Sequence, residues 1–372
     1  MVALLCEMKP LTILHIEWSD GWGGQEMRVI EESRGIAARG HRIIIVARKQ
    51  CQILAKAREA GLETRELEMR RSLDLRAMKQ LRALIRAEKV DILNTHSSVD
   101  SWIGAFARKG TSAKLVRTRH LFAPVGKHPF NFVYKMADVV VTTGEHVRKR
   151  LIEVNGLKGE KVVSIPTGVD VDFFSPCAAD VEVKRKLGVP ETSRVVSIVG
   201  ILRRIKRHDL FLAVAEILRE HDAGLRFVIA GDGPQKENIE KLIAEKKLGD
   251  CAMMAGHQSD VRPIFALSDV VVLCSDSEGV PQSAAQALAM ARPVVATNVG
   301  GVGELVKNGE TGLLVTANNA QALAGGVKRF LNDAGFATKC GERGREQVRK
   351  NFSKDGMIEQ TLELYERLLK TI

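Results

Sequence analysis

Residues able to do chemistry gather in a few short stretches. In SEGVPQ (277–282) a lone carboxylate, Glu278, stands before a Gly279-Val280-Pro281 turn that opens a helix. A carboxylate there either steadies the positive helix end or meets the hydroxyls of a ligand. Eight residues on comes an amide, Gln286, a little over two helical turns away and on the same face to within about 80°. Its oxygen can accept a hydrogen bond, but not the charge-assisted kind, which is roughly twice as strong. His96, in NTHSS (94–98), and His120, in RTRHLF (117–122), end two successive strands. Each alone is an ordinary structural histidine; two on one sheet rim point to a polar ligand.

Two further stretches suit anions. VGILRRIKRHD (199–209) crowds Arg203, Arg204, Lys206 and Arg207 at a helix start. Cations there oppose the helix dipole, which favours an anionic partner for at least one of them. Arg brings a planar fork and Lys a point charge to a phosphate. GWGGQE (21–26), with Gly23 and Gly24, exposes backbone N–H groups at another helix start. It is neither a G-x-G-x-x-G fingerprint nor a Walker A loop, and a tight connection is its plain alternative.

The elements that must position these groups alternate along the chain. Strands are expected at 11–16, 41–47, 90–96, 114–120, 137–144 and 161–168, with helical periodicity between them. The segment 168–190 has two prolines, several aspartates and no clean period, and reads as an interdomain linker. The alternation restarts with strands at 194–200, 225–231, 251–256, 269–275, 293–298 and 312–316, then helices to the end. Continuous apolar strands separated by helices imply parallel sheets covered on both faces. In such sheets ligands bind beyond the carboxyl ends of the strands, where the Gly-rich turns fall.

The 372 residues are 45% hydrophobic and 27% charged, ordinary globular material for two domains. No apolar run approaches the roughly 20 residues of a membrane span. The first ten residues are too short and insufficiently basic for a signal peptide, so the expected location is cytoplasmic, extending to the inner face of the cytoplasmic membrane. Six scattered cysteines form no C-x-x-C pair and read as reduced thiols. The net charge of +11 is uneven. Up to Asp172 there are 29 Lys and Arg against 20 Asp and Glu, a net of +9. That excess is either a solvated basic surface or suits an anionic membrane or an acidic substrate. Nucleic acid is the weakest reading, because no recognition motif accompanies the charge.

In order, GGQE, IPTGVDVDFFSP, VGILRRIKRHD, VIAGDGP, AGHQSDVRPIFALSDVVVLCSDSEGVP and ALAMARPVVATNVGGVGELVKNGETGLLV resemble the retaining, nucleotide-sugar-dependent glycosyltransferases of family 4 (group 1). The likeness spans about residues 11 to 370. It implies the GT-B fold: two Rossmann-like, doubly wound parallel-sheet domains of α/β class facing a central cleft. The expected boundaries are 1–172 for an acceptor domain, 190–354 for a sugar-nucleotide domain, a linker at 173–189, and a last helix, 355–372, that crosses back.

The resemblance also implies roles. Gly23, Gly24 and Lys206 would hold the diphosphate, with Arg203 substituting for the family arginine replaced here by Ile201. His120 would lie at the transferred sugar, with His96 the candidate on the acceptor side. Glu278 matches the first acid of the family's Glu-x7-Glu signature, and the second is Gln286. Ala291 stands where a glycine is usual. The loop near Gly256–Asp260 would face the base. The one D-x-D, Asp170-Val171-Asp172, falls in the linker-entry segment and reads as structural. No metal and no cofactor is expected, the donor being a substrate such as a UDP- or GDP-sugar. The acceptor would be a glycan or lipid-linked molecule of cell-envelope or lipopolysaccharide synthesis, with peripheral contact to anionic membrane. Two other readings stay open: a sugar-nucleotide epimerase on the same fold, and a binding protein that has lost turnover through Ile201, Gln286 and Ala291.

Overall fold

The structure is a computed structural model that describes residues 9–120 and 132–370. Cys6, Leu121, Phe122 and the last two residues of the expected 355–372 helix lie outside them. The chain divides into two units, Met1–Gly168 with Lys354–Ile372, and Val169–Ser353.

The first unit is one seven-stranded sheet. Its strands are β1 (Thr12–Glu17), β2 (Arg42–Ala47), β3 (Glu63–Glu66), β4 (Ile92–Thr95), β5 (Lys114–Arg119), β6 (Val139–Thr142) and β7 (Val162–Ser164). All pair in parallel, in the order β3-β2-β1-β4-β5-β6-β7. Strand residues alternate between two cores. Leu14, Ile16, Ile44, Val46 and Leu93 face one; Ile13, Ile43, Ile45, Ile92 and Val116 face the other. On this second face lie the helices Gly24–Ala37 and Lys354–Lys370, through Val29, Ile36, Ile358 and Tyr365. The edge strand β3 was not expected, because its sequence ETRE is charged throughout. Those charges bond sideways: Arg42 meets Glu63 at 2.7 Å and Glu88 at 2.8 Å. Charge on an edge strand also discourages pairing with another chain.

The second unit repeats the plan with six strands: β8 (Val195–Val199), β9 (Arg226–Ala230), β10 (Ala252–Gly256), β11 (Val270–Leu273), β12 (Val294–Thr297) and β13 (Leu313–Val315). Their order is β10-β9-β8-β11-β12-β13, again all parallel. Residues 173–189, read from sequence as linker, carry a short helix, Val181–Lys186, and Phe174, Val183 and Val189 pack on this unit's core.

One device recurs in both units. An aspartate just before a strand accepts the backbone N–H that starts a neighbouring strand. Asp91 takes Thr12 N at 2.8 Å, Asp138 takes Leu115 N at 2.7 Å and Asp269 takes Val195 N at 2.6 Å. Each satisfies a donor that the ladder leaves over and helps set register. Both sheets change direction at their first strand, between β1 and β4 and between β8 and β11. Those are the switch points beyond which ligands bind in open α/β sheets.

Candidate functional site

In the second unit the switch point carries a buried carboxylate. Glu278, three residues past Ser275 in the loop after β11, is 8% exposed. Its Oε1 accepts from Lys206 Nζ at 2.5 Å and from Ser275 Oγ at 2.5 Å. Lys206 ends a 3-10 turn, Arg204–Lys206, in the loop after β8. The two loops after adjacent strands thus deliver one cation and one anion to the same point. Asp276 N also donates to Ile205 O at 2.9 Å, joining the loops through backbone.

Glycines hold the Glu278 loop from behind. Gly300, after β12, has φ +53°, and a Cβ there would run into the Glu278 carbonyl. A Cβ on Gly301 would stand 2.6 Å from Gly279 O, and Gly301 N donates to Glu278 O at 3.1 Å. Pro281 then caps the helix Gln282–Ala289 without a side-chain hydrogen bond, so the cap residue itself gives the first N–H groups no acceptor. Gly279 and Val280 lie between Glu278 and that helix start. Gln286, half-buried on the helix, has no side-chain hydrogen-bond partner among the described residues. Gly256 ends β10 with φ +68°, and its carbonyl accepts Gly231 N at 2.8 Å.

Arg203 is not brought to Glu278. It is exposed, with no ion pair among the described residues, and lines a cavity of about 730 Å³ with Arg204 and Arg207. Arg207 is already engaged by Asp209 and Asp276, at 2.9 Å each. Ile201 is 42% exposed, so the loop has room for a longer side chain there. Ala291 closes the helix at φ +55°, the left-handed region that the more usual glycine adopts without strain.

In the first unit the polar groups sit on the strands themselves. On the face covered by Gly24–Ala37, alternate residues turn from apolar to polar toward the carboxyl ends: Ile13, His15, Glu17 on β1; Ile92, Asn94, His96 along β4; Val116, Thr118, His120 along β5. The structure brings His96 and His120 together: His96 Nδ1 lies 3.0 Å from His120 Nε2. It adds a partner that the sequence reading missed, since His15 Nδ1 is 3.0 Å from His96 Nε2. Burial lowers the His15 imidazole to about 3. Burial, neighbouring imidazoles and the Arg28 guanidinium hold His96 and His120 well below the ordinary histidine value.

Other polar groups fill the same face. Asn94 donates to Tyr365 Oη at 2.9 Å and accepts from Thr118 Oγ1 at 3.0 Å. Buried Arg28 donates to Ile165 O and pairs with Glu32 at 3.4 Å. At the rim, Glu17 accepts from Trp18 N, Ser19 N and Gln25 Nε2. Burial, then the Asp100 carboxylate, raises the Glu17 carboxyl to about 8. Gly23 caps the helix Gly24–Ala37 without a side-chain bond, and a Cβ on Gly24 would meet nothing within 4 Å. That helix start is open, not crowded.

The site residues that sequence reading missed (His15, Glu17, Asn94 and Arg28) share one signal: polar residues inside otherwise apolar elements. Chemically, the second unit offers a carboxylate for hydroxyls beside a cation for phosphate. The first offers neutral imidazoles and an open helix start.

Two family models match the chain in sequence. Glycosyltransferase Family 4 matches residues 22–173, and Glycosyl transferases group 1 matches residues 180–347. The N-acetyl-alpha-D-glucosaminyl L-malate synthase of Bacillus anthracis is 26% identical over 309 residues, covering 80% of each chain. The lipopolysaccharide core biosynthesis glycosyltransferase LpsE of Rhizobium meliloti is 27% identical over 242 residues, covering 64% of this chain and 68% of its own. Among solved structures, a glycosyltransferase from Rickettsia africae superposes with a TM-score of 0.88 at 26% identity, covering 98% of this chain and all of its own. With two parallel sheets of switch-point order and both family models matched in sequence, this chain belongs to the group 1, family 4 glycosyltransferases of GT-B fold.

Proposed function

We propose that the chain is a retaining, metal-independent glycosyltransferase. It moves a sugar from a nucleoside-diphosphate sugar to a glycan or lipid-linked acceptor of the cell envelope. The observation that carries this reading is the Lys206–Glu278 pair at the second unit's switch point. With a donor present, Glu278 exchanges part of its bonding to the sugar hydroxyls and Lys206 turns to the diphosphate. Gly279, Val280 and the helix start after Pro281 add N–H groups, and Gln286 takes one ribose hydroxyl. The loop at Gly256 faces the base. Arg203 supplies a further cation to the phosphates. From the first unit, Gly23 and Gly24 offer a second helix start to the diphosphate, His120 hydrogen-bonds the transferred sugar, and His96 serves the acceptor side.

The sugar C1–O bond to the diphosphate breaks, and its electron pair leaves on the diphosphate oxygen. The acceptor oxygen bonds to C1 on the same face and gives its proton to that diphosphate oxygen. Lys206 and the helix starts stabilise the leaving charge where water is excluded, the term that is usually largest in such reactions. A retaining hydrolase would instead need two carboxylates about 5 Å apart acting as nucleophile and acid, whereas Glu278 is paired with a cation, Lys206.

Membrane contact is the second part of the proposal. Leu73 and Leu75 are 56% and 78% exposed at the start of the helix Leu75–Ala87. Arg70, Arg71 and Arg76 flank them. Apolar tips among arginines suit an anionic bilayer surface. Among the described residues no helix is long and apolar enough to cross a membrane. The relatives' names show how far acceptors diverge, from malate to a lipopolysaccharide core.

A panel of sugar nucleotides tests the donor. The true donor raises the melting temperature most, since a ligand that binds only the folded state stabilises it, and it is consumed when envelope-lipid acceptors are added. Donor binding without turnover on any acceptor would favour the non-catalytic reading. Retention is read from the product's anomeric configuration, and metal independence from turnover in a chelator. Failure of anionic liposomes to retain the protein at low salt would remove the membrane part.

A further inference from the structure

The three histidines of the first unit form a chain with one repeated sense. His15 Nδ1 meets His96 Nε2, and His96 Nδ1 meets His120 Nε2, each at 3.0 Å. Ring centres are 5.2 Å apart in both pairs, with planes tilted by 12° and 39°. That spacing is what two ring radii and a straight N–H···N bond add up to, so the rings meet edge to edge. The nitrogens point at one another, not at a common centre where a metal would sit.

A neutral imidazole has one N–H and one lone pair, and each contact needs one of each. The tautomer of any one ring therefore dictates the other two, leaving two arrangements for the whole chain. In the first, all three carry the proton on Nδ1, and the inner end, His15 Nε2, is a bare lone pair. In the second, all carry it on Nε2, and His15 ends in a buried N–H. His15 is fully buried, and its Nε2 has no partner among the described residues. Its register partner on β4, Asn94, is satisfied by Tyr365 and Thr118. A buried N–H without an acceptor is the rarer fault in folded proteins; an under-used lone pair is better tolerated. The first arrangement is therefore selected.

We infer that His15 and His96 are positioning residues that hold His120 as the Nδ1–H tautomer, so that the outer end of the chain presents a hydrogen-bond donor. A donor suits a sugar hydroxyl or phosphate oxygen, and its consequence for turnover rests on the reading of His120 given above. Burial keeps all three rings neutral near pH 7, as the relay requires.

The test is nitrogen-15 NMR of the full-length, ligand-free protein labelled at its nine histidines, with the relay signals assigned by His120→Gln and His96→Gln. We expect His120 Nδ1 to resonate as a protonated nitrogen and Nε2 as an unprotonated one. The reverse pattern overturns the inference. The His15→Asn amide nitrogen can sit where Nδ1 sits and still donate to His96. It should leave the His120 spectrum unchanged and turnover within about twofold, whereas His15→Leu should mix the tautomers and lower kcat about tenfold with little change in donor KM. An unchanged His120 spectrum in folded His15→Leu sinks the relay. A mixed spectrum with full turnover upholds the relay and removes His120 from the sugar. Should His15→Leu fail to fold, the wild-type spectrum alone decides.

Discussion

In the first unit the polar groups grow out of the sheet, on alternate residues of β1, β4 and β5; in the second they hang from loops beyond β8 and β11. The first six strands of each unit follow the same order, so the difference lies in where rigidity comes from. His15, Asn94 and Thr118 are fixed by ladder bonds on both sides and covered by helices. Glu278 has no ladder. It is held by Lys206, by Ser275 and by the close approach of Gly300 and Gly301. A strand-borne group can be oriented by its neighbours within a fraction of an ångström, but it cannot move. A loop-borne group can exchange one partner for another, as the role proposed for Glu278, trading a lysine for a sugar, requires.

The largest test of this contrast is Glu278→Gln. It keeps the shape and loses the charge, and we expect kcat to fall about 10²–10³-fold with the fold intact by circular dichroism. A fully active variant would sink the assignment. Next is Gly300→Ala, which adds a Cβ at positive φ against the Glu278 carbonyl. We expect a loss of about 2–4 kcal/mol in urea unfolding, with activity falling further than stability alone explains.

The first unit is probed through pH. Folding raises the Glu17 carboxyl from 4.5 to about 8, so between those values the native state holds more protons than the unfolded. Stability contributed by protonated Glu17 is full below pH 4.5 and is lost as pH rises through about 8. Glu17→Gln should lose less stability than wild type across that window in pH-dependent melting. His15 has the opposite sign. It falls from 6.5 to about 3, so its contribution is full above pH 6.5 and lost as pH falls toward 3. Gln286→Glu comes next, and should leave donor affinity unchanged or tighten it by up to about tenfold, read by calorimetry. The smallest effect is Ala291→Gly, which trades left-handed strain for chain entropy. A gain of about 0.5–1 kcal/mol is expected.

Much of the fold could be read in advance because buried parallel strands are written as apolar, β-branched runs such as RIIIVA. What escaped was written in other residues. The strand ETRE is an edge that needs no buried face, and Val181–Lys186 is too short to show a period. At the site, Glu278, Lys206, His96 and His120 were legible from type and position at strand ends. Their partners were not. Lys206 and Glu278 are 72 residues apart in sequence, and no local pattern joins them. His15 lay hidden because one polar letter in TILHIE reads as noise until its strand neighbours are known. With register in hand, the period of two from His15 to Glu17 and from Asn94 to His96 becomes the signal.

The helix Lys354–Lys370 has a consequence in the order of synthesis. Met357, Ile358, Leu362 and Tyr365 belong to the core beside β1, β2 and β4, yet they leave the ribosome after all of Val169–Ser353. The first unit to be made is thus the last to be closed. While the second unit folds as a continuous stretch, the first waits with Asn94 lacking its tyrosine and one sheet face open to water. A chain stopped at Ser353 would carry a complete second unit and an unsealed first one. Emergence of Lys354–Lys370 is therefore the event that closes the first unit, and the chain without it is the form most in need of protection from aggregation.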